Sequence, residues 1–207
     1  MAAPAKLENY PAWFNKPLPF NGHNYGYSYR DYKNWDDGFN VELLDGIPYM
    51  MASPDEWHQW VSGELFSQLK FQLKGKKCQP YSELDVRLFY EIDESDKTVA
   101  RPDLMVVCSR EKVKGKKNCQ GVPDFIIEIV SKSTGGKDLM DKRNLYEYAR
   151  VKEYWAVTAD KVYQYILTGN SYSEEIHAMA SGLKLQVTAL GDIWLDFTGI
   201  VEEYGAA

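Results

Sequence analysis

No apolar run in this 207-residue chain approaches the ~18 residues that a bilayer-crossing helix needs, so the sequence offers no membrane span. Its first residues lack the basic-then-apolar layout of a secretion signal. Cysteine is scarce: Cys78, Cys108 and Cys119 are odd in number, widely spaced and without a CxxC pair. That pattern points to reduced thiols and, with no signal, to a soluble cytoplasmic protein. Positive charge is in deficit as well, the net charge being −6. Proteins that grip nucleic acid by neutralising phosphates are usually basic, so tight nonspecific binding is disfavoured. A metal nuclease, whose site is acidic until its cation arrives, is not excluded. Internal repeats and low-complexity segments are also absent.

What is present is ordinary globular material, 44% hydrophobic and 26% charged, in a length that favours one domain with appendages. Residues 1–27 show no sustained period and read as an arm that packs through Trp13, Phe14 and Phe20. A short helix is expected over 29–36. Asp45-Gly46 between two apolar runs, 39–44 and 47–51, predicts a hairpin, because a type I′ turn needs positive φ. Ser53-Pro54-Asp55-Glu56 carries helix-start chemistry with Ser53 as the cap. Trp57, Val61, Leu65, Leu69 and Leu73 then mark one apolar helix face that runs to about Lys74, with Gly75 ending it.

Residues 84–88 alternate like a half-buried strand, and 104–108 and 125–130 read as central strands covered on both faces. A second long helix is expected over 138–150. Residues 154–157 and 162–167 are expected to be the last strands of the main sheet. The acid-rich tail from 170 reads as a solvated strand-and-turn extension.

Glu128 stands inside one of the most apolar strand runs, where a lone ionised carboxylate would cost several kcal/mol. It must be paired, protonated or metal-bound. Asp103 opens the preceding strand run. If the two strands are antiparallel neighbours, Cys108 faces Asp124 and Asp103 falls opposite Ile129, beside Glu128. Two carboxylates that close call for a cation, and an all-oxygen site suits Mg²⁺ or Mn²⁺. Taken singly, a strand-start turn accounts for Asp103 and a salt bridge for Glu128. Lys142 lies four residues from both Asp138 and Tyr146 on the second helix, where a surface ion pair is its plainest reading.

Several segments, in this order and spacing, resemble the Uma-two family of bacterial proteins: Val41 to Gly46, Ser53-Pro54 through His58, Arg101-Pro102-Asp103, Pro123-Asp124 to Ser131, Ser133-Thr134, Asp138 to Lys142, Tyr146 and Glu153-Tyr154-Trp155. That family lies in the PD-(D/E)xK restriction-endonuclease-like superfamily, and the resemblance covers about residues 28–168. It implies an α/β fold, a mixed central sheet flanked by helices, with an N-terminal arm (1–27), the nuclease-like domain (28–168) and a C-terminal strand extension (169–207). It also implies that Asp103 and Glu128 hold the metal.

Val130 stands where the superfamily usually has its lysine, and the resemblance assigns that role to Lys142. Glu42 matches an acidic position of the site, with an exposed hairpin residue as the alternative. His58 matches a family histidine and is read as structural. Lys132 replaces a common proline and competes for the lysine role, and Arg150 replaces a common glycine.

The expected activity is Mg²⁺-dependent phosphodiester hydrolysis in DNA, with Asp103, Glu128, Lys142 and Glu42 as the catalytic set. A homodimer would suit cutting both strands. Arg110 and the lysines of 70–77 and 112–117 are expected to attract substrate locally, with plain solubility as the alternative. The rival function is an inactive nuclease-fold module that binds nucleic acid or a protein.

Overall fold

In the computed structural model, residues 26–35, 41–130 and 135–204 are described, the side chains of 135–139 excepted. The proposed arm with Trp13, Phe14 and Phe20, and the competing Lys132, lie outside the described residues. In chain order the elements are α1 (Tyr29–Tyr32), β1 (Val41–Leu44), β2 (Ile47–Met50), α2 (Glu56–Gln72), β3 (Gln79–Ser82), β4 (Val86–Arg87), β5 (Leu104–Val107), β6 (Cys119–Gln120), β7 (Phe125–Ile129), α3 (Gly135–Tyr148), β8 (Glu153–Val157), β9 (Lys161–Thr168), β10 (Ser171–Ala178), β11 (Lys184–Gln186), β12 (Trp194–Asp196) and α4 (Thr198–Tyr204). Six strands form a mixed sheet in the order β10-β9-β8-β7-β5-β3, parallel only between β7 and β8. This is the mixed central sheet flanked by helices that the sequence predicts.

Strand period two decides which side chains meet which helix. Leu104, Val106, Phe125, Ile127 and Trp155 pack with Val61, Leu65 and Leu69 of α2. Met105, Val107, Ile126, Tyr154 and Ala156 pack with Leu145, Tyr146 and Ala149 of α3. Glu128 falls between Ile127 and Ile129, so it projects to the α3 face.

The hairpin forms as its turn requires, with φ of 51° at Asp45 and 78° at Gly46. A Cβ on Gly46 would also lie 3.1 Å from the Tyr27 carbonyl oxygen. The start of α2 is corrected: Asp55, not Ser53, is the cap, its carboxylate accepting the His58 backbone N–H at 2.8 Å. Pro54 therefore precedes the cap. Arg150, at the place of the family's glycine, adopts φ 66° at the end of α3 while its guanidinium reaches the Gly169 carbonyl at 2.6 Å.

Three further expectations change. Only Val86 and Arg87 of the 84–88 run form a strand. The main sheet does not stop at β9, because β10 pairs with it along its full length. Nor is the tail simply solvated: Leu185, Val187, Ile193, Leu195, Phe197 and Ile200 are buried in the α2-side core. Polar residues on the strands' outer faces masked this apolar half of the tail.

The thiols are corrected as well. Cys78 and Cys108 form a disulfide linking the ends of β3 and β5, and only Cys119 is free, buried against β4. The pairing β3 makes with β5 sets Gln79 opposite Val107, so the next residues out, Cys78 and Cys108, face each other. Among the described residues no helix is long and apolar enough to cross a membrane.

Candidate active site

β5 and β7 are antiparallel neighbours, as the sequence predicts, but one residue out of the expected register. Leu104 faces Ile127 and Val106 faces Phe125, which extended by one sets Asp103 against Glu128 itself rather than Ile129. Side-chain carboxylates fix the ends of this pairing. Asp103 Oδ2 accepts the Ile129 N–H at 2.6 Å, and Asp124 Oδ2 accepts the Cys108 N–H at 2.8 Å. The two acids therefore share one end of the central sheet, on its α3 face.

Three further side chains converge there. Lys142 donates to Glu128 Oε1 at 3.0 Å and to Glu42 Oε1 at 2.5 Å. Tyr146, one turn further along α3, donates its hydroxyl to the same Glu128 oxygen at 2.6 Å. Glu42 reaches in from β1 and also accepts the Arg101 N–H at 2.7 Å. It is buried, so the alternative of an exposed hairpin residue is set aside. From the other side, His58 in the first turn of α2 places Nε2 3.0 Å from Asp103 Oδ1. Lys142 is thus no surface ion-pair residue: it is the internal counter-ion of two carboxylates from different elements.

The electrostatics follow from this crowding. Burial pushes Glu128 up to about 7; Lys142 pulls against it, and the Asp103 and Glu42 charges add to it. Burial works to lower Lys142, but the two glutamates outweigh it and hold the ammonium above its ordinary value. Lys142 therefore stays protonated at neutral pH. The hydrogen bond to Asp103 raises His58 against the burial that would lower it. Its Nδ1 is buried and has no hydrogen-bond partner among the described residues.

The donor set fits a small divalent cation. Among the described residues both hydrogen bonds to Glu128 fall on Oε1, so Oε2 is left without one. No three His, Cys, Asp or Glu side chains among the described residues form a complete chelating group. Two carboxylates with water filling the rest of the shell match the habit of Mg²⁺, which keeps several waters.

The basic segments lie elsewhere. Residues 74–77 and 109–117 adjoin Cys78 and Cys108, at the end of β5 opposite Asp103. They do not line the carboxylates, so any attraction they exert on a substrate acts at a distance from Asp103 and Glu128. The loop between two strands joins the ends remote from the site because Asp103 opens β5 while Glu128 nearly closes β7.

The site residues that sequence reasoning set aside are His58, read as structural, and Tyr146, noted only for its spacing from Lys142. The i, i+4 spacing of Lys142 and Tyr146 was the available signal, since it puts both on one helix face.

Residues 29–198 match the model of the Uma2 family, whose description reads "Putative restriction endonuclease". No curated protein matches the chain. Among solved structures the fold is similar to one described as "a putative nuclease belonging to DUF820 from Anabaena variabilis ATCC 29413". The TM-score is 0.68 at 13% identity, over 86% of this chain and 99% of that one. At that identity the likeness carries the fold alone.

Proposed function

Because the chain belongs to the Uma2 family of restriction-endonuclease-like proteins, we propose that it hydrolyses phosphodiester bonds in DNA with the help of Mg²⁺ or Mn²⁺. The observation that carries this reading is the meeting of Asp103 and Glu128 at one end of the central sheet, with a buried lysine on Glu128. Asp103 and Glu128 Oε2 would hold the cation, which when bound polarises the scissile phosphate and acidifies a water.

The chain's own groups do the rest. Tyr146 and Lys142 both occupy Glu128 Oε1, which fixes the carboxylate's rotation and leaves Oε2 for the cation. Lys142 has three donors and spends two on glutamates, leaving one N–H for a phosphoryl oxygen or the attacking water. Because it remains protonated, it serves as a donor and charge stabiliser rather than as a base. Glu42 anchors that ammonium from the opposite side. Two copies acting together would suit cleavage of both strands of a duplex.

The test is nicking of supercoiled DNA by purified protein with Mg²⁺. Cleavage should vanish in Asp103→Ala and in Lys142→Met, while equal cleavage by Asp103→Ala would identify a contaminant. A second reading has one observation in its favour: Lys142 and His58 already satisfy part of each carboxylate without a metal. That is what an inactive binding module on this scaffold would keep. Titration of the protein with Mn²⁺ separates the two, since the module gives no heat and loses none of its binding in Asp103→Ala.

A further inference from the structure

The carboxylate end of the sheet cannot by itself attract a polyanion. Glu42, Asp103 and Glu128 face Lys142 and His58 there, and the balance repels phosphate until a cation binds. The affinity for nucleic acid must come from another surface. The chain carries −6 overall, yet residues 74–77 and 109–117 hold eight cations and one acid, Glu111.

The fold brings these two segments together. The Cys78–Cys108 disulfide joins the turn after α2 to the connection after β5. Glu111 lies close enough to Lys77 to feel its charge. Lys74, Lys76, Lys77, Arg110 and Lys114 are exposed, while the loop beneath them is held in place. Val113 is buried in the α3-side core, Lys112 donates to the Val122 carbonyl at 2.7 Å, and the buried Asn118 donates to the Tyr29 hydroxyl. A fixed basic platform suits the regular charge of a sugar-phosphate backbone.

We infer that this basic end is a second contact surface for duplex nucleic acid, so that the chain grips its substrate at two places. The identity of the polyanion rests on the nuclease reading; the existence of the surface does not. Asp103 and Cys108 are five residue steps apart along β5, about 17 Å. Along α2, His58 to Lys74 spans about 24 Å. At roughly 3.4 Å per base pair, the basic platform falls about five to seven base pairs from the scissile phosphate.

The experiment compares Asp103→Asn protein with the same protein carrying K76E, K77E, R110E and K114E, binding a labelled 20-base-pair duplex across a salt series. The charge reversal should weaken binding at least tenfold at low salt. It should also flatten the salt slope by about three to four, since each phosphate left without its cation removes about 0.9. Mn²⁺ affinity of the otherwise native chain should not change with the four reversals. If the reversed protein misfolds by circular dichroism, glutamine at the same four positions should give the same direction with a smaller loss.

Unchanged affinity and slope would overturn the second surface. So would polyglutamate displacing the duplex as well as DNA of equal charge, which would indicate an acidic protein partner. Cleavage of nothing by the native chain with Mg²⁺ would defeat the nuclease reading alone, and the binding comparison would still decide this one.

Discussion

Replacing Glu128 by glutamine should make the metal-free protein more stable while removing its capacity to hold a cation. The carboxylate is raised from an ordinary 4.5 to about 7, mainly by burial. A carboxylate raised on folding contributes stability that is present below its unfolded value and lost as pH rises through the folded one. Over pH 4.5 to 7 that loss comes to about 3 kcal/mol, at 1.36 kcal/mol per unit. Glutamine keeps an oxygen for the Lys142 and Tyr146 donors at Oε1 but leaves Lys142 with one counter-ion instead of two. With about 1 kcal/mol returned for that at every pH, E128Q should be about 2 kcal/mol more stable than the parent at pH 8 and about 1 kcal/mol less stable near pH 4.5.

Urea denaturation with EDTA at pH 4.5, 6.5 and 8, followed by circular dichroism, measures it. Saturating Mn²⁺ should then reverse the order, since a ligand at a hundred times its Kd adds about 2.7 kcal/mol to the parent alone. An E128Q protein less stable than its parent at pH 8 in EDTA, or a gap indifferent to pH, would show that Glu128 is not the strained group described.

Leu65 is fully buried between α2 and the sheet, so Leu65→Ala should cost about 2–5 kcal/mol in the same urea assay. Reducing the Cys78–Cys108 bridge, which closes a span of 30 residues, should lower stability by about 3.6 kcal/mol. Nonreducing peptide mapping should recover the linked pair, and recovery of both thiols free would refute it. The Thr198 hydroxyl, together with Lys184 at 2.9 Å, holds Asp196 down at about 2. A depressed carboxylate contributes above its unfolded value of about 4 and loses that contribution as pH falls toward 2. D196N should therefore show a shallower loss of melting temperature over pH 4 to 2 than the parent.

Local chemistry was legible in the residues, and distant pairing was not. Asp45-Gly46 announces its own turn, and Val61, Leu65 and Leu69 announce a buried helix face, because each signal spans only a few residues. Asp103 and Glu128 stood out because a carboxylate inside or against an apolar run needs a reason. The register between their strands was missed by one. It is set by Asp103 and Asp124 capping backbone N–H groups across the pair, which no alternation of polarity reveals.

β3 was invisible because Pro80 argues against a strand, and it is tolerated here because β3 is the sheet's edge. Without that strand, the facing of Cys78 and Cys108 could not be seen. His58 and Glu42 joined the site through elements 45 and 61 residues before Asp103, and only the fold closes those distances.

The far edge of the sheet, β10, runs for eight residues and among the described residues pairs with no further strand, though the Tyr172 N–H is capped by Glu147 at 2.6 Å; such an edge is the usual template for stacking between molecules. A second molecule laid against it antiparallel, about the strand's midpoint, would set Glu174 against Glu175 twice over, and like charges directly opposed push such a ladder apart. Like charges at that register disfavour pairing of two molecules through this edge, and neutral residues in their place should favour a closed dimer built on it.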